Sequence, residues 1–162
     1  MKSSPLVLAA RLARLALGIV FVWAACVKIA HPADFALAVS RYHILAGPLA
    51  ALVNPVAIIL PWVELAAGLA VLASPPRTRG AAALVLAAML VVFTLAIAVL
   101  LASGQATSCG CFSVRADASS SNAWNIVRNL LLLLAAAIVF AEARDADRPL
   151  TQLRTKFRVP LS

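Results

Sequence analysis

Charged side chains are scarce in this sequence. Only 12% of its 162 residues are Asp, Glu, Lys or Arg, and only 6 residues are acidic. In addition, 64% of the residues are hydrophobic and the mean hydropathy is +0.99. A soluble domain balances an apolar core with a polar surface, so this composition excludes a soluble globular protein. The chain is therefore expected to have membrane lipid as its solvent.

A basic stripe interleaved with aromatic residues is also missing. Basic residues outnumber acidic ones by 14 to 6, which gives a formal net charge of +8. Nucleic-acid binding would require those charges on one continuous surface, whereas here they flank apolar runs. The positive charge therefore indicates a membrane-flanking role and no nucleic-acid partner.

Four apolar runs are long enough to cross a bilayer, which takes about 20 residues. Backbone polar groups in lipid must bond to one another, so each run is predicted to be a helix. The short connections predict an all-α fold, a polytopic bundle of four transmembrane helices. The predicted spans are 12–30, 49–73, 80–102 and 124–141. They form one domain at 12–141, between an N-terminal segment at 1–11 and a basic tail at 142–162.

Lys and Arg are distributed unevenly around these spans. Four crossings place ten of them on one side and only Lys28, Arg41, Arg115 and Arg128 on the other. Because cytoplasmic loops carry the excess of basic residues, both termini and the tail are predicted to be cytoplasmic. In a bacterial inner membrane, the connection between the third and fourth spans then faces the periplasm or the extracellular space.

Two of the three cysteines stand in that connection, at Cys109 and Cys111. The outer side is oxidising, so thiols there pair or exchange. A bridge across one residue departs from relaxed disulfide geometry and is easier to reduce, which favours thiol–disulfide exchange, and Gly110 suits the tight turn. An ordinary local bridge, two idle thiols and a copper(I) site remain alternatives, although no metal ligand set is predicted.

A polar face opens the fourth span, with Asn125, Arg128 and Asn129 at positions i, i+3 and i+4. An arginine is costly against lipid, so this face is predicted to point into the bundle and to bring Arg128 near the two thiols, where it would stabilise a thiolate. The alternative is an arginine that extends to the interface beside Trp124.

Glu64 lies inside the second span, one turn after Pro61, where a helix kink is predicted. A carboxylate at that depth requires a partner, and Lys28 and Arg128 are the available cations. A buried ion pair that holds the helices in register and a proton-handling group are both compatible with this pattern.

The remaining candidates are weaker. Cys26 points about 200° away from Lys28 around its helix, so a small packing residue is favoured over a third exchange partner. His31 and His43 flank the first outer connection without a recognised metal-ligand spacing, so both are expected to be solvated.

These motifs in their order resemble the MauE branch of the DoxX-like redox-associated membrane proteins. The likeness runs from about residue 14 to residue 134 and includes "LPWVELAAGLAVL", "SCGCFS" and "WNIVRNLLLLL". Ser113 replaces the usual last glycine of the CGCFG motif, and Cys26 is an addition to the pattern. The matching positions are Arg14, Gly18, Lys28, Pro32, Phe35, Tyr42, Pro61, Glu64, Gly68, Cys109, Gly110, Cys111, Phe112 and Arg128.

The resemblance implies a multi-pass inner-membrane protein linked to methylamine utilisation. Members are associated with maturation of the disulfide-rich small subunit of methylamine dehydrogenase, alongside a thioredoxin-like partner. Many relatives occur without that pathway, so another exported cysteine-rich substrate is equally compatible. The competing hypotheses are a non-enzymatic assembly factor that docks the redox partner, and a copper(I)-handling protein.

A looser likeness extends to four-helix thiol oxidases that pass electrons to quinone. Those relays use two cysteine pairs, whereas this chain has one pair and Cys26. A complete relay to quinone is therefore not expected, and quinone as a cofactor has no support in the sequence.

Overall fold

A computed structural model describes residues 5–41, 47–102 and 122–156. The described residues are helical almost throughout, with no strand among them, which confirms the all-α prediction. The elements are α1 (Pro5–Ala30), α2 (Pro32–Arg41), a 3-10 helix (Gly47–Leu52), α3 (Val53–Ala73), α4 (Pro76–Ala102) and α5 (Asn122–Lys156).

Four of these helices, α1, α3, α4 and α5, are long and apolar enough to cross a membrane. Each corresponds to one predicted span, so the four-span prediction is confirmed. Several bounds differ by a few residues. The first span begins earlier, at Val7, and the fourth extends beyond residue 141. The third begins at Pro76, because proline is well suited to the first turn of a helix, and ends at Val99. The spans are Val7–Ala30, Ala50–Ala73, Pro76–Val99 and Trp124–Asp147.

The four long helices form a closed bundle. Helix α1 packs against α3 and α5, and α4 packs against the same two helices. Alanine makes up much of the core, because small residues let helix backbones approach closely where lipid removes most of the hydrophobic driving force between helices. Large apolar side chains instead cover the outer surface, among them Ile19, Trp23, Ile58, Val92 and Leu131.

Two glycines lie where α1 and α3 approach each other closely. A methyl group on Gly68 would lie 3.2 Å from the backbone nitrogen of Val22 and 3.3 Å from the carbonyl oxygen of Gly18. A methyl group on Gly18 would in turn lie 2.6 Å from Cδ2 of Leu72. The two backbones are therefore close together here, and this contact fixes how α1 and α3 are aligned along their axes.

The connection between the first and second spans contains a helix that was not predicted. Helix α2 begins with a proline, carries Asp34 in its first turn and packs against α1 and α3. It buries Phe35, while the neighbouring Asp34 and Leu37 are exposed. The segment is therefore a short amphipathic helix that lies on the bundle. His31, just before it, is exposed as expected, with Nδ1 4.0 Å from Asp34.

At the opposite end, ion pairs join the start of α4 to α5. Arg77 Nε donates to Asp147 at 2.9 Å, and Arg79 Nη1 lies 3.3 Å from a Glu142 oxygen. Ala143, which lies between Glu142 and Asp147 in the sequence, is buried. The predicted boundary of the tail at residue 142 therefore falls inside α5, on residues that pack against α4. We call this the Arg79 end, and the end with the last turn of α1 the Lys28 end.

Candidate functional site

Lys28 and Glu64 form a buried ion pair between α1 and α3. Lys28 lies in the last turn of α1, and Glu64 lies three residues after Pro61 within α3. The Lys28 ammonium donates to both carboxylate oxygens at 2.6 Å. The two residues are only 2% and 0% exposed. The sequence left Lys28 and Arg128 as possible partners of Glu64, and in the structure the partner is Lys28.

Two aromatic rings cover the same ammonium. The Lys28 nitrogen lies 5.0 Å from the ring centre of Phe35 on α2 and 5.4 Å from that of Phe93 on α4. The negative face of an aromatic ring attracts a cation, and the attraction is larger where water is excluded. The site therefore draws on four helices, and α2 contributes its buried side chain to it.

Helix α5 adds buried amides to this region. Asn125 and Asn129 are each 1% exposed, which confirms that the polar face of the fourth span turns inward. Asn129 donates from Nδ2 to Thr94 Oγ1 on α4 at 3.2 Å, and Thr94 donates to the carbonyl of Leu90 at 2.6 Å. Arg128 is half-buried on the same turns. The hydrogen bonds thus join α4 to α5 beside the ion pair.

A small cavity is lined by the ion pair and by Asn129. Its volume is about 10 Å³. Its walls come from all four long helices, because the residues that line it are Phe21, Ala24, Lys28, Glu64, Leu90, Phe93 and Asn129.

The sequence-predicted thiol site lies outside the described residues. Cys109, Gly110 and Cys111 fall in 103–121, so their pairing and their distance from Arg128 stay predictions. The same holds for Tyr42, His43, Phe112 and Ser113. Cys26 is described and is exposed on α1, away from the buried Lys28, as its position on the helix predicted. Within the described ranges, no group of three or more His, Cys, Asp or Glu residues is placed to hold a metal ion.

Two residues of the site, Phe93 and Thr94, were not predicted as functional. Both lie in the uninterrupted apolar run of α4, where the sequence does not show which face turns inward. The available signal was Thr94 itself, a hydroxyl within that run, because a polar group at such depth needs a hydrogen-bond partner. Asn129 was placed on the inward face but not beside Glu64.

The fold and the site define a multi-pass membrane protein whose four-helix bundle is joined internally by a buried ion pair. Comparison with known proteins identifies the chain as a member of the family described as Methylamine utilisation protein MauE, which it matches over residues 6–142. This confirms the family resemblance seen in the sequence.

One relative is the methylamine utilization protein MauE of Methylophilus methylotrophus, 35% identical over 124 residues. The alignment covers 76% of this chain and 63% of that protein, so the chain spans slightly less than two thirds of the relative's length. No solved structure matches the chain.

Proposed function

We propose that this protein supports thiol–disulfide exchange in methylamine utilisation, through the Cys109–Cys111 pair at the outer face of the membrane. Membership of the MauE family and the name of the related protein support the link to methylamine utilisation. The Cys-Gly-Cys spacing supports the redox chemistry. The exchange partner is a thioredoxin-like protein or an exported cysteine-rich protein.

One observation carries this proposal: the segment with the thiols begins and ends at the Lys28 end of the bundle. Phe93 lies nine residues before the end of α4, and Asn129 lies seven residues after the start of α5. At 1.5 Å per residue, both helices reach the borders of segment 103–121 about 10 to 14 Å beyond the buried ion pair. The two helix ends that border the segment with Cys109 and Cys111 therefore lie at the end of the bundle that holds the ion pair.

The proposed exchange transfers two electrons in two displacements. In the oxidising direction, a substrate thiolate attacks the Cys109–Cys111 bridge and forms a mixed disulfide, and the released cysteine takes up a proton. A second substrate thiolate then displaces the remaining cysteine, which leaves an oxidised substrate and a reduced Cys109–Cys111 pair. An oxidised thioredoxin-like partner accepts the electrons of that pair in the reverse exchange. Arg128 would stabilise the thiolate by its positive charge.

The ion pair has a positioning role in this proposal. Lys28 and Glu64 hold α1 against α3, while Phe35 and Phe93 attach α2 and α4 to the same ammonium. The Asn129–Thr94 hydrogen bond joins α5 to α4, so the two helix ends that border segment 103–121 are held next to each other. This role requires no proton transfer by Glu64.

Serine substitution of each cysteine tests the proposal. Cells that carry Cys109→Ser or Cys111→Ser are treated with acid and a thiol-alkylating reagent, and mixed disulfides of the protein are separated by non-reducing electrophoresis. One single variant should accumulate a mixed disulfide, because the resolving thiol is gone, and the double variant should form none. Cys26→Ser is the matched control and should behave as the wild type, since Cys26 lies on the exposed face of α1.

Maturation of exported disulfide proteins provides the second readout. We expect it to be lost in both single variants and kept in Cys26→Ser. If Cys109→Ser and Cys111→Ser both support normal maturation, the exchange proposal is wrong and a non-enzymatic assembly role replaces it. Stoichiometric copper(I) that depends on both cysteines, without mixed disulfides, would likewise reject exchange in favour of copper handling.

A further inference from the structure

Lys28 has more hydrogen-bond donors than Glu64 uses. An ammonium carries three N–H groups, and two of them donate to the Glu64 oxygens at 2.6 Å. Lys28, Glu64 and Asn129 all line the small cavity, whereas the described hydrogen bonds include none between Asn129 and the ion pair. The polar groups of α1, α3 and α5 thus face one shared space.

Asn129 also has capacity beyond its bond to Thr94. One N–H of its amide donates to Thr94 Oγ1, and the amide has a second N–H and a carbonyl oxygen. Asn129 is only 1% exposed. Buried polar groups in proteins are bonded to protein or to ordered water.

The cavity is just large enough for one water molecule, and three of the side chains that line it are polar. Its volume of about 10 Å³ is close to the minimum that one bound water needs. A buried water typically makes two to four hydrogen bonds. The ammonium, the carboxylate and the Asn129 amide supply that number of partners. An apolar cavity of equal volume would lack them.

We propose that one bound water bridges Asn129 to the Lys28–Glu64 pair, which makes Asn129 the positioning residue that connects α5 to the buried charges. Thr94 holds the Asn129 amide from the other side. The network then runs from α1 and α3 through the water to α5 and α4. Asn129 lies seven residues after the start of α5, so the bridge would connect the first turns of this helix to the ion pair. This inference does not depend on the cysteine chemistry.

A double-mutant cycle in the full-length protein, unfolded reversibly in mixed micelles, tests the connection. The cycle combines Asn129→Leu, which keeps a similar shape without polar atoms, with Lys28→Met. A water bridge predicts that the two effects on the unfolding equilibrium constant are coupled by roughly threefold or more. A purely packing role of Asn129 predicts the same loss in both backgrounds, and such additivity would overturn the proposal.

Asn125→Leu combined with Lys28→Met is the matched control. Asn125 is the same residue type, is equally buried and lies one turn away, but it does not line the cavity. Its cycle should be additive to within about twofold. Equal coupling for Asn125 and Asn129 would show a general effect of polar residues on α5 and would also reject the specific bridge.

The water itself is tested on the wild-type protein, so the test does not depend on whether the variants fold. A structure in lipid nanodiscs, at a resolution that shows ordered water, should have density within hydrogen-bond distance of Asn129 and of Lys28 or Glu64. A cavity without that density rejects the proposal even if mixed-disulfide trapping succeeds. Loss of trapping with the water present rejects the exchange function alone.

Discussion

Lys28 and Glu64 face each other across α1 and α3 with both carboxylate oxygens 2.6 Å from the ammonium, while their side chains are only 3% and 1% exposed. Charges at such a position are tolerated because they neutralise each other and because two aromatic rings cover the cation. The stability of the bundle should therefore depend on the presence of both partners.

Removal of one partner should be costly. Glu64→Gln leaves the Lys28 ammonium buried without a countercharge, and we expect a loss of about 3–5 kcal/mol in the free energy of unfolding. Lys28→Met combined with Glu64→Leu removes both charges and should cost less than Glu64→Gln alone. The measurement is reversible unfolding in mixed micelles. Asp34→Asn, in the exposed pair with His31, is the control and should stay within about 0.5 kcal/mol of the wild type.

Two glycines should respond differently to the same added methyl group. Gly68→Ala would press on backbone atoms of α1 at 3.2 and 3.3 Å, which cannot move independently, so a loss of about 1–3 kcal/mol is expected. Gly80→Ala meets only ordinary contacts, the nearest at 3.4 Å to Ala143, and should be neutral or stabilise by up to about 1 kcal/mol. Thermal unfolding of the two variants side by side distinguishes them. Equal effects would contradict the close approach of α1 and α3.

At the other end of the bundle, Arg79 should matter more than Arg77. The Arg79 side chain is 13% exposed, bonds to Glu142 and also donates to the carbonyl of Ser74 at 3.1 Å. The Arg77 side chain is 55% exposed in its pair with Asp147, where solvent and salt screen the attraction. We expect Arg79→Ala to cost about 1–3 kcal/mol and Arg77→Ala less than about 1 kcal/mol. Unfolding at low and high salt checks the ranking, since the smaller effect should also be the one that salt abolishes.

The orientation predicted from the basic residues has a direct test by thiol labelling. In a Cys26→Ser background, a membrane-impermeant maleimide added to intact, mildly reduced spheroplasts should modify Cys109 and Cys111. A cysteine introduced by Thr78→Cys in a cysteine-free background should react only after the membrane is permeabilised, because Thr78 is exposed at the Arg79 end. The reverse pattern would place the thiols in the reducing cytosol and remove the basis of the proposed exchange.

The bundle was predictable because lipid imposes simple demands. Long apolar runs must become helices, and a carboxylate at the depth of Glu64 must find a cation. The sequence thus predicted a buried ion pair at Glu64, but it left Lys28 and Arg128 as alternative partners. Lys28 is the partner because it lies in the last turn of α1, within reach of Glu64 on α3. That position depends on how α1 and α3 are aligned along their axes, which the contact at Gly18 and Gly68 determines.

Other parts could not be predicted from the same signals. From Gly80 to Ala102, helix α4 is apolar on every side except at Thr94, so a single hydroxyl is all that distinguishes the inward face from the face that meets lipid. Helix α2 has only ten residues, too few to stand out as a span, and its role depends on one side chain, Phe35, reaching a lysine on another helix. Such relationships arise from the assembled bundle and have no local periodic signature.

Helix α5 is longer than a membrane requires. Its 35 residues measure about 52 Å at 1.5 Å per residue, against a hydrocarbon layer of about 30 Å. The candidate span ends at Asp147, so the last nine residues of α5 continue beyond it on the side of the Arg79 end. A reporter or an affinity handle fused beyond Lys156 would be separated from the end of that span by about 13 Å of helix, which makes this end the practical place to attach one.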